Sequence, residues 1–304
     1  MREYFFPAVL FHAFRGRNCA EIMNKGKANG DFTERRRRIM LKLALIGKDV
    51  SKSDSAKMHT FDLKELGSGC TYELISLAKE DFDSCVKKLL AEYDAFNVTI
   101  PYKLDIIPYL KELKGDAKTF GAVNLVKDGI GYNTDGEGFM LMLKNNGIET
   151  AGKKVLVLGA GGAGRSVVKK LSDAGAQVFV YDLKTENAQE LQREFGNLKV
   201  VEQLSPEDYF MIVNVTGVGM HKTEGRSPVG EDILSRCEAA VDLIYVPRKS
   251  EFLRIAETLG KKIVNGEGML FYQAYYGDCI LLGRDPDAAE AKKLFEEYRR
   301  KFAD

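Results

Sequence analysis

The sequence has almost no net charge. Its 304 residues include 45 lysines and arginines against 44 aspartates and glutamates, which gives a formal net charge of +1 at pH 7. Because positive and negative side chains are almost equal in number, the chain offers no electrostatic attraction to nucleic acid or to an anionic membrane, and we expect neither partner. The consecutive arginines Arg35–Arg38 form a short, isolated run, which is more typical of a solvated linker than of a nucleic-acid contact.

Cysteine and histidine are also scarce. No cysteine belongs to a C-x-x-C pair; the five are Cys19, Cys70, Cys85, Cys237 and Cys279. An odd and scattered set predicts free thiols in a reducing compartment, here the cytoplasm, instead of a disulfide framework or a zinc site. The 3 histidines are far apart in the sequence, so we expect no metal centre. His59 and His221 are more typical of structural or surface histidines than of cleft residues.

A long apolar run is missing as well. The stretch YFFPAVLFHAF near the N terminus is too short to cross a bilayer and contains Pro7 and His12. No clear small-residue cleavage site follows it, so we expect no signal peptide. Residues 1–39 are interpreted as an N-terminal extension of unknown role.

From Leu41 onward, short apolar runs alternate with amphipathic stretches. The first series predicts strands over 41–47, 71–78 and 95–100, helices over 55–66 and 80–93, and two short strands within 121–133. The second series predicts strands over 153–159, 177–183, 198–204, 211–216, 239–245 and 261–265, with helices over 162–174, 185–195 and 250–259. Two further helices close the chain. Strands separated by helices predict mostly parallel sheets, and we expect two α/β domains that meet near Asp135–Asn146.

The stretch NVTIPYK places polar side chains around the end of an apolar strand. Pro101 cannot donate a ladder hydrogen bond and is expected to close that strand. Open α/β sheets bind ligands at the carboxyl ends of their parallel strands, so Thr99 and Lys103 are predicted to line a cleft. Asn97 is interpreted as a brace for the loop.

A glycine loop follows the first strand of the second series. In VLVLGAGGAGRSVVKKL, Gly159, Gly161 and Gly164 form a G-x-G-x-x-G between a predicted strand and a predicted helix. These glycines permit a tight turn and the close approach of a pyrophosphate to the helix N terminus. The next strand ends in Asp182, whose carboxylate can bind a ribose diol and would repel the extra phosphate of NADP. The loop predicts a dinucleotide site that prefers NAD; the alternative is a close-packed turn without a ligand.

Further short motifs extend the prediction over most of residues 41–285. In chain order they are LIGKDVSKSDSAKMH, NVTIPYK, GAVN, GYNTDGEGF, VDLIYVP and NGEGMLFYQA. Together they resemble the shikimate dehydrogenase family. The resemblance implies a substrate-binding α/β domain (40–135 with 267–304) and a Rossmann dinucleotide-binding domain (136–266), separated by a cleft. It also implies interconversion of 3-dehydroshikimate and shikimate by hydride transfer with a nicotinamide cofactor, as in chorismate and aromatic amino-acid biosynthesis.

The resemblance assigns roles to individual residues. It implies that Lys103 and Asp135 form the catalytic proton-transfer pair. The implied substrate-binding residues are Ser53, Ser55, Thr99, Lys103, Asn124, Asp135, Tyr245 and Gln273, with the two serines on the substrate carboxylate. The implied cofactor-binding residues are Gly159, Ala160, Gly161, Gly162, Ala163, Gly164, Asp182, Leu243 and Gly266.

These residue types suit the reduction of a ring ketone. A lysine ammonium can give a proton to the developing alkoxide, and a neutral lysine can remove it in the reverse direction. A carboxylate within hydrogen-bonding reach would orient the lysine and share its titration. Taken singly, Lys103 is typical of a solvated helix start, Asp135 of an N-cap and Tyr245 of a strand end.

Two stretches depart from the family pattern. Many members have proline, histidine and proline where this chain has Asp49, Lys52 and Ala56, which puts the shape of the serine loop in question. The segment Asp182–Leu183–Lys184 stands where many NADP-using members have Asn-Arg-Thr, so the arginine that grips the 2′-phosphate is missing. We expect NAD as the preferred cofactor, with NADP as the alternative because Lys184 could meet a phosphate as a point charge.

Other functions share some of these features. A quinate/shikimate or aminoshikimate dehydrogenase of the same superfamily would carry the same motifs. The serine pair favours shikimate, because quinate has an extra hydroxyl beside its carboxylate. A non-catalytic protein that senses NAD or a metabolite could dispense with Lys103 and Asp135, yet both are present. We expect a monomer or homodimer that acts on a small molecule.

Overall fold

The computed structural model describes residues 40–302, so the interpretation of residues 1–39 lies outside the described residues. The described chain contains two six-stranded sheets, and the first has the order β2-β1-β3-β5-β6-β4. Its strands are β1 (Met40–Gly47), β2 (Gly69–Ser76), β3 (Ala95–Val98), β4 (Glu112–Leu113), β5 (Leu125–Lys127) and β6 (Ile130–Tyr132). β1 is parallel to β2 and β3, whereas β5 is antiparallel to β3 and β6.

Helices cover both faces of the first sheet. They are α1 (Ser55–Glu65), α2 (Phe82–Glu92) and α3 (Asp116–Phe120), with 3-10 turns at Lys79–Asp81 and Ile107–Tyr109. In β1, Ala44 and Ile46 pack in one cluster with Val86 of α2, while Leu43 packs in another with Leu63 of α1. Because both faces of β1 are buried, its sequence is a nearly continuous apolar run.

The second sheet has the order β12-β11-β10-β7-β8-β9, and all of its strand pairs are parallel. Its strands are β7 (Lys154–Leu158), β8 (Gln177–Tyr181), β9 (Leu198–Val200), β10 (Tyr209–Asn214), β11 (Cys237–Asp242) and β12 (Lys262–Asn265). The helices of this half are α5 (Gly162–Asp173), α6 (Thr185–Phe195), α7 (Glu231–Leu234) and α8 (Glu251–Thr258), with a 3-10 turn at His221–Thr223. The strand order reverses between β7 and β10, where doubly wound sheets bind their ligands.

Three more helices complete the described chain: α4 (Asp135–Asn145), which runs from the first sheet to the second, α9 (Glu267–Leu282) and α10 (Ala288–Phe302). α4 follows β6, and α9 follows β12. α4 and α9 approach each other closely, because a Cβ added at Gly138 would lie 2.7 Å from the backbone nitrogen of Gln273. This contact brings Gln273 beside the first turn of α4. No helix within residues 40–302 is long and apolar enough to cross a membrane.

Some predicted strand limits are wrong. The strand predicted over 95–100 ends at Val98, because the carbonyl of Thr99 accepts from Tyr102 N in a turn. Pro101 therefore lies beyond the strand and does not close it. The strand predicted over 198–204 ends at Val200, where its pairing with β8 also ends. β4 is not predicted from the sequence because two residues give no periodicity.

Candidate active site

Lys103 follows the turn that ends β3. Thr99 N donates to a carbonyl of β1 over 2.9 Å, which fixes the start of the turn. Tyr102 is buried: its hydroxyl donates to Leu77 O over 2.6 Å, and its ring stacks on Phe82 with the centroids 4.6 Å apart. Because its neighbour is anchored in the core, Lys103 leaves the turn in a defined direction with 27% of its side chain exposed.

Asp135 is the first residue of α4 and meets Lys103. The distance from Lys103 Nζ to Asp135 Oδ2 is 2.6 Å. Thr134 is the N-cap residue, so the interpretation of Asp135 as an N-cap is wrong. Asp135 N donates to Asn133 Oδ1 over 3.0 Å, which holds the start of the helix. The positive end of the helix dipole also favours a carboxylate at this position.

Asn124 holds Asp135 from a second direction. Its Nδ2 lies 2.9 Å from Asp135 Oδ1, 3.0 Å from Thr134 Oγ1 and 3.3 Å from Gln273 Oε1. An amide nitrogen carries two hydrogens and can donate to only two of these three acceptors at a time. The third acceptor can bind a ligand hydroxyl. The structure thus brings Lys103, Asp135, Asn124 and Gln273 into one hydrogen-bonded group.

Asn97 supports this group by holding the backbone of Asn124. Its Nδ2 donates to the backbone oxygen of Asn124 over 3.1 Å, and its Oδ1 accepts from the Tyr72 hydroxyl over 2.7 Å. Asn97 is buried, and its side chain is occupied by these contacts. The contacts agree with the interpretation of Asn97 as a brace.

The serine pair lies at the start of α1. The hydroxyls of Ser53 and Ser55 are 2.9 Å apart, and both residues are half-buried. Tyr245 follows β11 of the other sheet and is 39% exposed, so it does not end a strand as the alternative interpretation held. Burial, and after it the negative charge of Asp54, raises the pKa of the Tyr245 phenol.

The glycine loop joins β7 to α5, and its glycines differ in whether backbone conformation, close packing or neither requires glycine. Gly159 has a φ of +109°, which disfavours any other residue. A Cβ at Gly164 would lie 2.4 Å from the oxygen of Gly159, so only glycine lets the helix start so close to the strand. At Gly161 and Gly162 no atom lies within 4 Å of such a Cβ. The outer side of the loop is therefore open, and the free N–H groups of α5 fit a pyrophosphate.

Asp182 ties the end of β8 to the glycine loop. Its Oδ2 accepts from Ala160 N over 2.8 Å, and its Oδ1 accepts from Lys184 N over 2.9 Å and from Asn187 Nδ2 over 3.1 Å. A carboxylate can accept about four hydrogen bonds, so capacity for a ribose hydroxyl remains. The adjacent Leu183 is 88% exposed.

Leu243 and Gly266 lie at the same edge of the second sheet as the glycine loop. Each follows a strand parallel to β7, namely β11 and β12. A Cβ at Gly266 would lie 2.0 Å from the oxygen of Leu243, so glycine is required for this contact. The residues predicted for the cofactor therefore share the carboxyl edge of one parallel sheet.

A buried group of ionisable residues beneath the serine loop is not found by sequence reasoning. His59 Nδ1 lies 2.7 Å from Asp278 Oδ1, and both side chains are buried. Asp62 is buried one turn further along α1, and neither of its carboxylate oxygens has a hydrogen-bond partner. Burial, followed by the charges of Asp278 and Glu290, raises the pKa of Asp62 well above its ordinary value. The His59–Asp62 spacing is visible in the sequence, but nothing there brings Asp278 from α9.

Comparison with known proteins identifies the family. Residues 45–126 match the shikimate dehydrogenase substrate binding domain, and residues 132–248 match the NAD binding domain of D-isomer specific 2-hydroxyacid dehydrogenases. A shikimate dehydrogenase (NADP(+)) of Carboxydothermus hydrogenoformans is 38% identical over 263 residues, which cover 82% of this chain and 94% of the relative. The chain belongs to the shikimate dehydrogenase family.

Solved structures of the family confirm the predicted fold class. A chorismate mutase/shikimate 5-dehydrogenase fusion protein from Clostridium acetobutylicum matches with a TM-score of 0.79 and 32% identity over 87% of this chain and 99% of that chain. The shikimate 5-dehydrogenase of Thermus thermophilus, solved with NADP(H) and shikimate, matches with a TM-score of 0.76 and 34% identity over 85% of this chain and 100% of that chain. This chain therefore has the α/β fold of the family, with a substrate-binding and a Rossmann domain.

Proposed function

We propose that this protein catalyses the reversible reduction of 3-dehydroshikimate to shikimate with a nicotinamide cofactor. The observation that supports this reaction most directly is the 2.6 Å contact between Lys103 Nζ and Asp135 Oδ2. Family membership adds support, because the relative from Thermus thermophilus was solved with NADP(H) and shikimate. The site holds the acid-base group and the anion-binding loop that such a reaction requires.

Lys103 supplies the proton. A nicotinamide cofactor, held by the glycine loop and Asp182, would supply or accept the hydride at the carbonyl carbon. Lys103 gives a proton from Nζ to the oxygen that becomes an alkoxide, and in oxidation neutral Lys103 takes the hydroxyl proton. Asp135 holds the lysine in place and balances its charge.

The polar side chains around the pair orient the substrate. The hydroxyls of Ser53 and Ser55 donate to the substrate carboxylate without adding charge. Thr99, Asn124 and Gln273 each bind ring hydroxyls as donors or acceptors. Tyr245, which follows β11 of the second sheet, is a further substrate-binding residue in this proposal.

We further propose that NAD is preferred over NADP. The curated relatives are named as NADP(+) enzymes, so this preference sets the chain apart from them. Three features of the loop after β8 support it: the carboxylate of Asp182, the apolar exposed side chain of Leu183, and the lack of an arginine between Asp182 and Lys184. A carboxylate repels a 2′-phosphate, and a single exposed lysine compensates weakly.

The cytoplasm is the compartment we propose. Cys70, Cys85, Cys237 and Cys279 are free thiols in the structure. Free thiols of this kind are typical of a reducing compartment.

Initial rates of shikimate oxidation with NAD and with NADP test the function and the cofactor together. We expect turnover of shikimate with a kcat/KM at least about tenfold higher for NAD, equivalent to ~1.4 kcal/mol. Quinate is run beside each cofactor and should be the poorer substrate. A preference for NADP contradicts the cofactor proposal and points to Lys184, while no turnover of shikimate contradicts the proposed reaction.

A further inference from the structure

Lys170 of α5 lies where three helices meet. Its Nζ is 2.9 Å from Asp116 Oδ2, in the first turn of α3, and 2.6 Å from Glu137 Oε1, in the first turn of α4. The Lys170 and Asp116 side chains are 16% and 18% exposed, respectively, so water screens this contact weakly. The ammonium therefore joins α5, next to the glycine loop, to the first turns of α3 and α4.

The residue after Asp135 makes room for this lysine. A Cβ at Gly136 would lie 2.8 Å from Lys170 Cγ, 2.9 Å from its Cε and 3.1 Å from Asp116 Oδ2. The lysine stem thus packs directly against the backbone beside the catalytic carboxylate. A movement of Lys170 would therefore displace the backbone at Gly136 and shift the neighbouring Asp135.

Charge keeps the contact in place. Burial lowers the pKa of Lys170, but the contacts with Glu137 and Asp116 and the negative charges of both carboxylates together raise that pKa above its ordinary value. Burial raises the pKa of Asp116, and Lys170 opposes this effect. Burial raises the pKa of the Tyr276 phenol on α9; the charge of Glu137 adds to this rise and that of Lys170 opposes it.

Each partner of Lys170 leads to a residue of the active site. Asp116 begins α3, which runs into the segment that carries Asn124. That segment is joined to the start of α4, since Asn133 Nδ2 donates to Ala122 O over 3.0 Å. Glu137 lies two residues after Asp135. α5, which carries Lys170, begins at the glycine loop.

We propose that Lys170 is a positioning residue, which fixes the Lys103–Asp135 pair relative to the cofactor helix α5. It touches neither substrate nor cofactor and acts through Gly136 and the two carboxylates. This role rests on the proposed function, because the distance it controls is that between the hydride donor and the proton donor. Misplacement of reacting groups by about 1 Å can lower a rate by about 10²-fold.

Lys170→Met tests the role, because it keeps the length of the side chain and removes the charge. We expect kcat for shikimate oxidation to fall about tenfold or more, while KM for shikimate and the Kd of NADH and NADPH from fluorescence titration stay within about twofold. Lys170→Arg should restore kcat to within about threefold, since it keeps the charge. Lys169→Met is the matched control: Lys169 lies next along α5 and pairs with Asp173 of the same helix.

The remaining outcomes separate the two proposals. A normal kcat for Lys170→Met, with or without a lower melting temperature, overturns the positioning role alone. So does an equal loss in Lys169→Met, or a loss that follows weaker nucleotide binding. If the unmodified enzyme does not turn over shikimate but binds the nucleotide, the proposed function fails and the positioning role fails with it.

Discussion

In the proposed mechanism, two serines at the start of α1 hold the substrate carboxylate. Ser53→Ala and Ser55→Ala each remove one neutral donor, and a hydrogen bond to a charged group contributes about 1.5–3 kcal/mol. We expect each variant to raise KM for shikimate about 10- to 100-fold while kcat changes little. Steady-state kinetics at saturating cofactor measures both constants.

Ser51 provides a matched control for the serine pair. It is exposed, and its hydroxyl donates to Asp49 Oδ1 over 2.8 Å instead of lining the cleft. Ser51→Ala should therefore leave KM unchanged. Unchanged KM values for both Ser53→Ala and Ser55→Ala would remove the serine pair from the substrate site.

Asp62 is buried, and neither of its carboxylate oxygens has a hydrogen-bond partner to offset the loss of water. Its raised pKa means that the folded state holds its proton more tightly than the unfolded state, so its contribution to stability is lost as pH rises through the folded pKa. Asp62→Leu removes that loss and fills the space with an apolar side chain. We expect the free energy of unfolding at neutral pH to rise by about 1–3 kcal/mol in urea titrations.

Asp285→Leu serves as the control for this substitution, because Asp285 is exposed. It should change the free energy of unfolding by no more than about 0.5 kcal/mol. A loss of stability in Asp62→Leu would show that the carboxylate has a favourable role in the core.

At the scale of elements, two glycines of the loop between β7 and α5 are expected to affect different properties: Gly164 the stability and Gly162 the nucleotide affinity. Gly164→Ala places a Cβ 2.4 Å from the oxygen of Gly159, so β7 and α5 must move apart. Gly162→Ala places its Cβ in open space on the side predicted to receive the pyrophosphate. We expect Gly164→Ala to lower the melting temperature by several degrees, and Gly162→Ala to keep it while raising the Kd of NADH at least about tenfold.

Calorimetry and fluorescence titration on both variants measure these two effects. The two substitutions are chemically identical, so each controls for the other. Normal nucleotide affinity in Gly162→Ala would place the pyrophosphate elsewhere. An unchanged melting temperature in Gly164→Ala would show that the helix start can shift freely.

Sequence patterns predicted most elements because their periodicity is local. Residues 155–158 alternate between two buried clusters, Val155 and Val157 in one and Leu156 and Leu158 in the other, so the apolar run marks a central strand. The end of β3 was not predictable, since the turn there depends on hydrogen bonds that Thr99 makes within the folded chain. The two-residue β4 carries no periodic signal at all.

For the whole molecule, stability should depend on pH through Asp242 at the end of β11. Burial raises the pKa of this carboxyl to about 6, although hydrogen bonds from Ser250, Ile244 N and Asn214 oppose the rise. A raised folded pKa contributes stability at low pH that is lost as pH rises through about 6. Between about pH 5 and about pH 8 this loss should amount to ~1–2 kcal/mol.

Asp242→Asn tests this dependence. The amide keeps the acceptor used by Asn214 and Ile244, and it can donate to Ser250 in place of accepting. Urea unfolding of the variant should give a smaller fall in free energy over the same pH range. An equal fall in both proteins would assign the pH dependence to other groups.

The assembly of the site from distant parts of the chain sets the limit of sequence reasoning. The motifs carried Lys103, Asp135, Asn124 and Gln273 individually, but spacing could not show that they share one hydrogen-bonded group. The contacts of Lys170 were invisible for the same reason, because its two carboxylate partners come from other helices. The sequence shows which side chains can take part in the chemistry, whereas the contact of three helices follows from how they pack.

The most direct test of the central claim is the rate of shikimate oxidation by Lys103→Met. If Lys103 transfers the proton, kcat should fall by about 10²–10⁴-fold while the Kd of NADH and NADPH stays unchanged. Lys88→Met, which replaces an exposed lysine on α2, should retain the unmodified rate. A Lys103→Met enzyme that turns over shikimate within about threefold of the unmodified rate would contradict the proton-transfer role and the mechanism built on it.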